Sequence, residues 1–143
     1  MTVTISRCRW QDSERELRRI RESVFIDEQH VPESLEWDGE DDASTHFLAK
    51  DAQGQAVGCI RLMPSGQVSR LSVLEPFRNQ GIGSALLNAA EEYALSVGMN
   101  EIFLHAQTHA TSFYEAAGFT VNGGIFLEAD IPHRQMFKEL GAG

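Results

Sequence analysis

The sequence predicts an α+β fold with a mixed β-sheet. Several short segments alternate apolar and polar residues, turn residues separate neighbouring segments, and a long amphipathic helix lies between two strand-like segments. A strand–helix–strand unit pairs its strands in parallel, whereas short turns pair strands antiparallel. No repeat or linker divides the 143 residues, so we expect one domain over residues 1–143.

The first third of the chain predicts a strand, a helix and a loop. Apolar residues alternate over residues 3–8, as in a half-buried strand. Asp12 or Ser13 is a typical N-cap, and apolar residues then recur at helical spacing over residues 17–25. This periodicity ends at an acidic segment, residues 32–42, which we expect to form a loop.

Three strands are predicted in succession after this loop. The segments THFLAKD (residues 45–51) and AVGCIRLM (residues 56–63) are strand-like, and Gly54 between them can adopt the positive φ angle of a turn. The turn PSG at residues 64–66 leads to a third strand, QVSRLSVL (residues 67–74).

The remaining segments complete the predicted fold. Residues 82–97 carry one apolar stripe at steps of three and four, and Gly98 is typical of the position after a helix. The segment EIFLHAQ (residues 101–107) forms the second strand of the parallel unit. A second helix and two closing strands are predicted at residues 110–117, 119–128 and 134–140.

The composition argues against several classes of protein. The net charge is −9, from 21 acidic and 12 basic residues, whereas a nucleic-acid-binding surface normally carries a basic stripe. An acidic surface suits a cationic small molecule, although many domains are acidic only for solubility. No apolar run reaches membrane-spanning length and residues 1–10 do not resemble a signal peptide, so we expect a cytoplasmic protein without membrane contact. Cys8 and Cys59 lack zinc-ligand spacing, so we expect free thiols and no metal.

Two glycines at the start of the long helix form the first candidate site. The segment RNQGIG, residues 78–83, follows a strand and opens a helix. A helix N-terminus carries unpaired N–H groups and a partial positive charge, and Gly81 and Gly83 would let an anion approach the backbone closely. Arg78 would add a fixed charge. The alternative, that the turn needs glycine only for its conformation, has equal weight at this point.

Two common phosphate-binding motifs do not fit this segment. A P-loop requires lysine followed by Ser or Thr after the second glycine, and Gly83 is followed directly by Ser84. A dinucleotide fingerprint requires a third glycine, where this chain has Leu86, and an acid at the end of the next strand, where Glu101 stands at the beginning.

The order R-x-x-G-x-G after a strand resembles the GNAT superfamily of acyl-coenzyme A-dependent N-acyltransferases. A second segment, QTHATSFYEAAGF (residues 107–119), is similar to the family's N-x-x-A-x-x-[LF]-Y-x-x-x-G-F segment, with Gln107 in place of the usual Asn. Residues 24–46 and 126–136 are similar to the ElaA-like branch, in which V-F-x-x-E-Q precedes an acidic loop and E-x-x-I-P-H-x-x-M lies near the end. Together these segments span most of the chain.

This resemblance implies a splayed mixed sheet of six to seven strands with helices on both faces, and acetyl-coenzyme A as co-substrate. It places the pyrophosphate on residues 78–84 and the pantetheine along residues 71–73, where a backbone N–H near Val73 would polarise the thioester carbonyl. The residues expected to bind coenzyme A are Leu71, Ser72, Val73, Arg78, Asn79, Gln80, Gly81, Ile82, Gly83, Ser84, Gln107 and Ala110.

Tyr114 is the predicted catalytic residue. A tyrosine within a helix is more often part of the core, but this one occupies the tyrosine position of the family's motif. The departing thiolate of coenzyme A needs a proton, and a phenol with a pKa near ~10 is protonated at neutral pH. We therefore expect Tyr114 to act as the general acid.

The group that accepts the proton of an attacking amine is open at this point. Many family members carry a glutamate near the start of the strand before the phosphate loop, where this chain has Gln67, whose amide cannot take up the proton. His105 lies in an apolar strand and is expected in the core. The candidate residues for the acceptor side are Glu28, Asp38, Asp42, His46, Glu128 and His133, of which Glu28, His46, Glu128 and His133 are also candidate bases. The acidic loop is equally compatible with a solvated surface and with one that collects cationic amines.

The sequence thus predicts an N-acetyltransferase that moves an acetyl group from acetyl-coenzyme A to a small, cationic amine by direct attack in a ternary complex. Both cysteines lie outside the motifs, so a covalent acyl-cysteine route is not expected. Two alternatives stay open: a non-catalytic acyl-coenzyme A binding or sensing module, which Gln67 favours, and an unrelated nucleotide-binding domain. A homodimer is compatible with the sequence.

Overall fold

A computed structural model describes residues 2–141 and contains one seven-stranded sheet in the order β1-β2-β3-β4-β5-β7-β6. The strands are β1 (Thr4–Arg9), β2 (Thr45–Lys50), β3 (Ala56–Leu62), β4 (Gln67–Val73), β5 (Glu101–Gln107), β6 (Thr120–Glu128) and β7 (Ile131–Glu139). The helices are α1 (Trp10–Arg21), α2 (Glu33–Glu36), α3 (Ile82–Ser96) and α4 (Thr111–Ala116), with a π-helix at Glu22–Glu28 and 3₁₀ turns at Glu75–Phe77 and Thr108–Ala110. The β4–β5 pair is parallel and the other strand pairs are antiparallel, which confirms the mixed sheet and the α+β class.

Helices cover both faces of the sheet. Successive side chains of β2 point to opposite faces, so Phe47 and Leu48 belong to two different apolar clusters. The Phe47 cluster contains the apolar stripe of α3, including Leu86. The Leu48 cluster contains Leu17 and Ile20 of α1. The prediction of helices on both faces is therefore confirmed.

The parallel strands β4 and β5 pair only where they begin. Residues 67–68 pair with residues 103–104, and no further pair joins the two strands over the rest of their described lengths. β4 also contains a bulge, at which its register with β3 shifts and Arg70 adopts a φ of +58°. Because a bulge bends its strand, the two strands part towards their C-terminal ends. This split confirms the predicted splayed sheet.

A glycine lets α3 lie close against β3. A Cβ on Gly58 would lie 3.0 Å from the backbone oxygen of Ser72 and 3.1 Å from the side chain of Leu86. Both contacts are tighter than a side chain normally tolerates, so the helix could not pack at this distance on any larger residue. The close packing of α3 holds its N-terminus at the end of β4.

The first helix begins earlier than predicted. α1 starts at Trp10 rather than after a cap at Asp12 or Ser13, and no side-chain hydrogen bond caps it. The buried ring of Trp10 holds this turn against the core, and Ser13 has a non-helical φ of −127° that kinks the helix. Helical structure then continues as the π-helix, so the apolar periodicity over residues 17–25 spans two kinds of helix.

The β6–β7 hairpin is longer than predicted. β7 begins at Ile131 rather than at residue 134, because Ala129 and Asp130 form a two-residue turn with positive φ angles of 52° and 60°. Turns of this kind normally contain Asn or Gly. The pair Ala-Asp therefore carries little of the usual sequence signal for a hairpin.

No helix within residues 2–141 is long and apolar enough to cross a membrane. The same residues contain no group of three or more His, Cys, Asp or Glu side chains placed to hold a metal ion. Cys8 and Cys59 are free thiols, and burial raises the pKa of Cys59 to about 12. That thiol is therefore a poor nucleophile at neutral pH.

Candidate active site

The diverging ends of β4 and β5 open into a cavity of about 840 Å³, a size typical of small-molecule sites. The predicted coenzyme A residues that line this cavity are Leu71, Val73, Arg78, Asn79, Gly81, Ile82, Gly83, Ser84, Gln107 and Ala110. Tyr114 lines it as well, together with Asp38, Glu128 and His133 from the predicted acceptor side. One cavity therefore brings together residues from both halves of the predicted site.

Two residues predicted to bind coenzyme A do not line the cavity. The Ser72 side chain is buried, and its hydroxyl donates a hydrogen bond to the backbone oxygen of Arg70 at 3.1 Å. Strand alternation directs this side chain to the face opposite Leu71 and Val73. Gln80 is exposed and lies outside the cavity wall.

The N-terminus of α3 forms the candidate anion site. Gly81 adopts a φ of +82°, and its carbonyl accepts the first hydrogen bond of the helix, from Ala85 N–H at 3.0 Å. The N–H groups of residues 82–84 precede this bond and point out of the helix end. A Cβ on Gly81 would meet nothing within 4 Å, so the space beside these groups is open. Gly81 thus meets the conformational need of the turn, and no other residue crowds the position of its Cβ.

Gly83 differs from Gly81 because it lies within α3 and needs no unusual backbone angle. A Cβ at this position would lie 3.6 Å from the ring of Phe113, which is ordinary contact. Neither conformation nor packing therefore requires glycine here. Its lack of a side chain leaves the backbone of the first helical turn accessible from the cavity.

Arg78 is held at the cavity wall by two hydrogen bonds. Its Nε donates to the carbonyl of Val73 at 2.8 Å, and its Nη2 donates to Oε1 of Glu28 at 2.7 Å. Glu28, predicted for the acceptor side, lies outside the cavity wall and orients the guanidinium instead. The π-helix thus directs Glu28 to Arg78 rather than into the cavity wall.

The backbone of Val73 faces the split between β4 and β5. Leu74 N–H donates to the carbonyl of Val57 on the β3 side at 2.9 Å. In antiparallel pairing, the N–H groups of consecutive residues point to opposite edges of the strand. The N–H of Val73 therefore points away from β3, towards the side on which β5 has separated.

Tyr114 lies on α4, where two aromatic rings hold its side chain. The Tyr114 ring meets Phe113 and Phe119 edge-on, with centroids 5.0 and 6.0 Å away. Burial raises the pKa of its phenol to about 12. The hydroxyl therefore keeps its proton throughout the neutral pH range, while the side chain remains part of the cavity wall.

Gln107, the residue that replaces the family's Asn, contacts a second glutamine. Its Nε2 donates a hydrogen bond to Oε1 of Gln29 at 2.7 Å. Gln29 follows the π-helix and also lines the cavity. This bond joins the end of β5 to the helical segment above it across the opening.

Three carboxylates of the acidic loop pair with arginines from other elements. Arg21 of α1 contacts Glu36 at 2.8 Å and Asp41 at 2.7 Å. Arg61 of β3 contacts Asp38 at 2.9 Å and Asp41 at 3.1 Å. Each of these carboxylates thus has at least one guanidinium partner across the fold.

Arg70, at the bulge of β4, completes this network. It lies 3.0 Å from Glu36 and 3.2 Å from Asp38. Burial alone would raise the pKa of Asp38, but the hydrogen bonds from Arg61 and from the backbone of Glu40, together with the charges of Arg61 and Arg70, outweigh it and lower that pKa to about 2. Glu36 and Asp41 are therefore buried ion-pair partners, and Asp38, though exposed, is paired as well, so this part of the loop is not simply a solvated surface.

Two predicted acceptor residues, Asp42 and His46, lie outside the cavity wall. Asp42 is exposed and accepts a hydrogen bond from Gln11 at 3.2 Å. His46 is 1% exposed, with Nε2 3.0 Å from the carbonyl of Asp41 and its ring 5.6 Å from that of Trp10. Burial lowers the pKa of His46, so this ring is a neutral part of the core. The structure therefore places neither residue at the cavity.

Glu128 and His133 do line the cavity, and His105 joins them there. The Nδ1 atom of His105 lies 3.0 Å from Oε1 of Glu128, and Nε2 of His133 lies 3.7 Å from Oε2. The placement of His105 in the core was wrong, because 26% of its side chain is exposed. Its neighbours Leu104 and Ala106 occupy the buried face of β5 instead.

The sequence contained a signal for His105 that the core prediction missed. Alternation along β5 places His105 on the same face as Gln107, which was already assigned to the site. No comparable local signal exists for Arg61 or Arg70, since their carboxylate partners lie twenty or more residues away along the chain.

A family model described as the acetyltransferase (GNAT) domain matches residues 11–140. The Bacillus subtilis protein YjcF, named an uncharacterized N-acetyltransferase, is 36% identical over 84% of this chain and 88% of its own. An acyl-CoA N-acyltransferase from Pseudomonas aeruginosa has a TM-score of 0.84 at 27% identity, over 96% of this chain and 99% of its own. Escherichia coli ElaA has a TM-score of 0.86 at 24% identity, over 96% and 100%. The chain belongs to the GNAT family and is an acyltransferase.

Proposed function

We propose that this protein transfers an acetyl group from acetyl-coenzyme A to a small amine, by direct attack in a ternary complex. The observation that carries the proposal is the single cavity at the split between β4 and β5, which connects the N-terminus of α3, Tyr114 and Glu128. Direct attack requires both substrates in one continuous space, with the reacting atoms in contact.

The coenzyme end of the cavity would hold the pyrophosphate on the N–H groups of residues 82–84, with the guanidinium of Arg78 beside it. The open space beside Gly81 supports this assignment. An acyl-coenzyme A donor is also supported by the neighbour from Pseudomonas aeruginosa, which is named an acyl-CoA N-acyltransferase.

Acyl transfer would use two donors of this chain. The N–H of Val73 would stabilise the negative charge that develops on the thioester oxygen when the amine attacks. As the C–N bond forms and the C–S bond breaks, the departing sulfur would take the proton of the Tyr114 hydroxyl. The pKa of about 12 keeps the phenol protonated at neutral pH, so the proton is present for transfer, while the same shift makes the phenol a weaker acid than an exposed tyrosine. The phenol then regains a proton from solvent.

The acceptor must be a neutral amine when it attacks. An amine with a pKa of about 10.4 is neutral in roughly one molecule in 2,500 at pH 7, a cost of roughly 4.6 kcal/mol. Glu128 and His133 would contact the amine and favour a cationic acceptor. Glu128 is suited to this because its side chain is 49% exposed, whereas Glu36 and Asp38 are engaged by arginines.

Thiol release distinguishes transfer from simple binding. The protein is mixed with acetyl-coenzyme A and a panel of primary amines and polyamines, and free coenzyme A thiol is measured against a sample without amine. Transfer predicts amine-dependent release with at least one acceptor. A sensing module predicts acetyl-coenzyme A binding by calorimetry without release for any amine.

A further inference from the structure

His105, Glu128 and His133 project from one face of the sheet. Gln107 pairs with His133 across the β5–β7 ladder, and Phe126 pairs with His133 across the β6–β7 ladder. Side chains two residues apart along a strand share a face. His105 therefore lies on the face of Gln107, and Glu128 on the face of Phe126, so strand geometry brings all three groups together.

The contact with Glu128 determines which nitrogen of His105 is protonated. An ionised carboxylate only accepts hydrogen bonds, so Nδ1 of His105, 3.0 Å from Oε1, must carry the hydrogen. In the neutral ring, Nε2 then holds the lone pair. His105 lines the cavity, and this tautomer leaves Nε2 as the ring nitrogen that can accept a proton.

The ring of His133 is fixed by its own contacts, which suits a residue that positions other groups in the cavity. Its Nδ1 donates to the carbonyl of Ile131, and its ring stacks on Phe126 at an interplanar angle of 25°. Its side chain is 8% exposed, and its Nε2 lies 3.7 Å from Oε2 of Glu128, beyond hydrogen-bond distance. A charge formed on this ring would be more buried than one formed on His105.

We propose that Nε2 of His105 accepts the proton of the attacking amine and that Glu128 orients the ring and stabilises the resulting imidazolium. This inference rests on the proposed N-acetyl transfer. The amine nitrogen forms the C–N bond and loses one proton to Nε2, while the C–S bond breaks and sulfur takes the proton of Tyr114. His105 then releases its proton to solvent and Tyr114 regains one, so the protons balance.

Other ionisable groups line the same cavity as His105. His133 lies on β7, Tyr114 on α4, Arg70 on β4 and His109 in the turn after β5. Glu128 on β6 is the group within hydrogen-bond distance, while the ring of Phe126 packs edge-on at 5.1 Å. The negative charge of Glu128 therefore acts on the imidazolium at the shortest range.

The test measures kcat at saturating substrates over a range of pH for matched variants. His105→Asn retains an N–H that can face Glu128 and has no proton acceptor. The wild-type kcat should decline at low pH, because a protonated His105 can no longer accept the proton of the amine. In His105→Asn we expect kcat to fall about 10²-fold or more and this decline to disappear. The affinity for acetyl-coenzyme A, measured by calorimetry, should not change.

The matched control is His30→Asn, outside the cavity wall. His30 is exposed and has a φ of +59°, an angle that Asn tolerates. We expect this variant to keep the wild-type kcat and its decline at low pH. It shows that losing a histidine does not by itself produce the effect.

Glu128→Gln provides an independent measurement. Glutamine keeps an oxygen that can accept the hydrogen bond from Nδ1 but removes the charge. The decline of kcat should therefore move to lower pH, because the imidazolium loses its anionic partner. If Glu128 had only a structural role, the pH at the midpoint of this decline would not change.

The outcomes distinguish the proposed role of His105 from the proposed acetyl transfer. A folded His105→Asn variant that keeps the wild-type kcat and pH dependence would overturn the role of His105. If His105→Asn does not fold, an unchanged midpoint in Glu128→Gln overturns it instead. A wild-type protein that binds acetyl-coenzyme A and releases no thiol with any amine would overturn the proposed function itself.

Discussion

Gly81 and Tyr114 belong to different steps of the proposed reaction: Gly81 to the binding of coenzyme A and Tyr114 to the chemical step. Gly81 borders the open space beside the first N–H groups of α3, while Tyr114 contributes a buried phenol from α4. Substitution of the first should change the affinity for coenzyme A. Substitution of the second should change the rate of transfer.

Gly81→Asp should abolish most of the affinity for coenzyme A. It places a carboxylate where the pyrophosphate would lie, so the two anions repel each other and the cavity loses space. We expect the dissociation constant, measured by calorimetry, to rise by about 10²-fold or more, which corresponds to roughly 2.7 kcal/mol.

Gly54→Asp is the control for this substitution. Gly54 has a similar φ, +79° against +82°, and a Cβ on it would also meet nothing within 4 Å. It lies in the turn between β2 and β3, outside the cavity wall. Equal loss of affinity in both variants would contradict the phosphate assignment and indicate a general effect of strain or charge.

Tyr114→Phe should lower kcat and leave binding nearly unchanged. The substitution removes one hydroxyl and keeps the edge-on packing with Phe113 and Phe119. We expect kcat to fall about 10²-fold or more, the usual contribution of a general acid, with a small change in acetyl-coenzyme A affinity. An unchanged kcat, with chemistry shown to be rate-limiting, would leave Tyr114 with a packing role alone.

At the level of elements, the arginine network fixes the acidic loop to α1, β3 and β4. Asp41 is buried between two arginines, since it contacts Arg21 at 2.7 Å and Arg61 at 3.1 Å while 6% exposed. Asp41→Asn removes a buried charge and leaves its partners undercompensated. We expect the free energy of unfolding, measured with urea, to fall by about 3 kcal/mol.

The neighbouring residue Asp42 offers a matched control for Asp41→Asn, and the pH dependence of stability is a second test. Asp42 is exposed, so Asp42→Asn should change the free energy of unfolding by about 0.5 kcal/mol or less. Burial opposes ionisation of Asp41, but the hydrogen bonds and charges of Arg21 and Arg61 together outweigh it and lower its pKa. Its contribution is therefore present above its ordinary pKa of 3.8 and lost as the pH falls below it. The difference in the free energy of unfolding between wild type and Asp41→Asn should therefore become smaller at acidic pH. A difference that stays constant with pH would contradict the ion pairing of Asp41.

The elements that the sequence predicted well are those whose signal is local. Alternation identified β5, and the apolar stripe with Gly98 after it identified α3, because both patterns depend on neighbours along the chain. The turn at Ala129 and Asp130 was missed because its positive φ angles come from strand pairing rather than from turn residues.

Partners distant in sequence account for most of the remaining differences. Asp41 and Asp42 are identical side chains at adjacent positions, yet one is buried between Arg21 and Arg61 and the other is exposed. No local pattern distinguishes them, since the difference depends on how α1 and β3 meet the loop. The same limit applies to Glu28, whose partner Arg78 lies fifty residues away.

For the whole molecule, the net charge of −9 bears on both proposed substrates. It would repel an anionic coenzyme at long range, so the proposed coenzyme binding would depend on short-range donors such as Arg78 and the N–H groups of α3. The same charge would attract a cationic amine. The two substrates would thus be recognised by different physical means on the two sides of the split sheet.

Amine-dependent release of thiol from acetyl-coenzyme A tests the proposed transfer at the level of the whole protein. The wild-type protein and Tyr114→Phe are assayed side by side with each amine of the panel, and the acetylated product is identified by mass spectrometry. We predict release that matches the formation of an acetylated amine and that falls about 10²-fold or more in Tyr114→Phe. Binding of acetyl-coenzyme A with no amine-dependent release for any acceptor would contradict the proposed function.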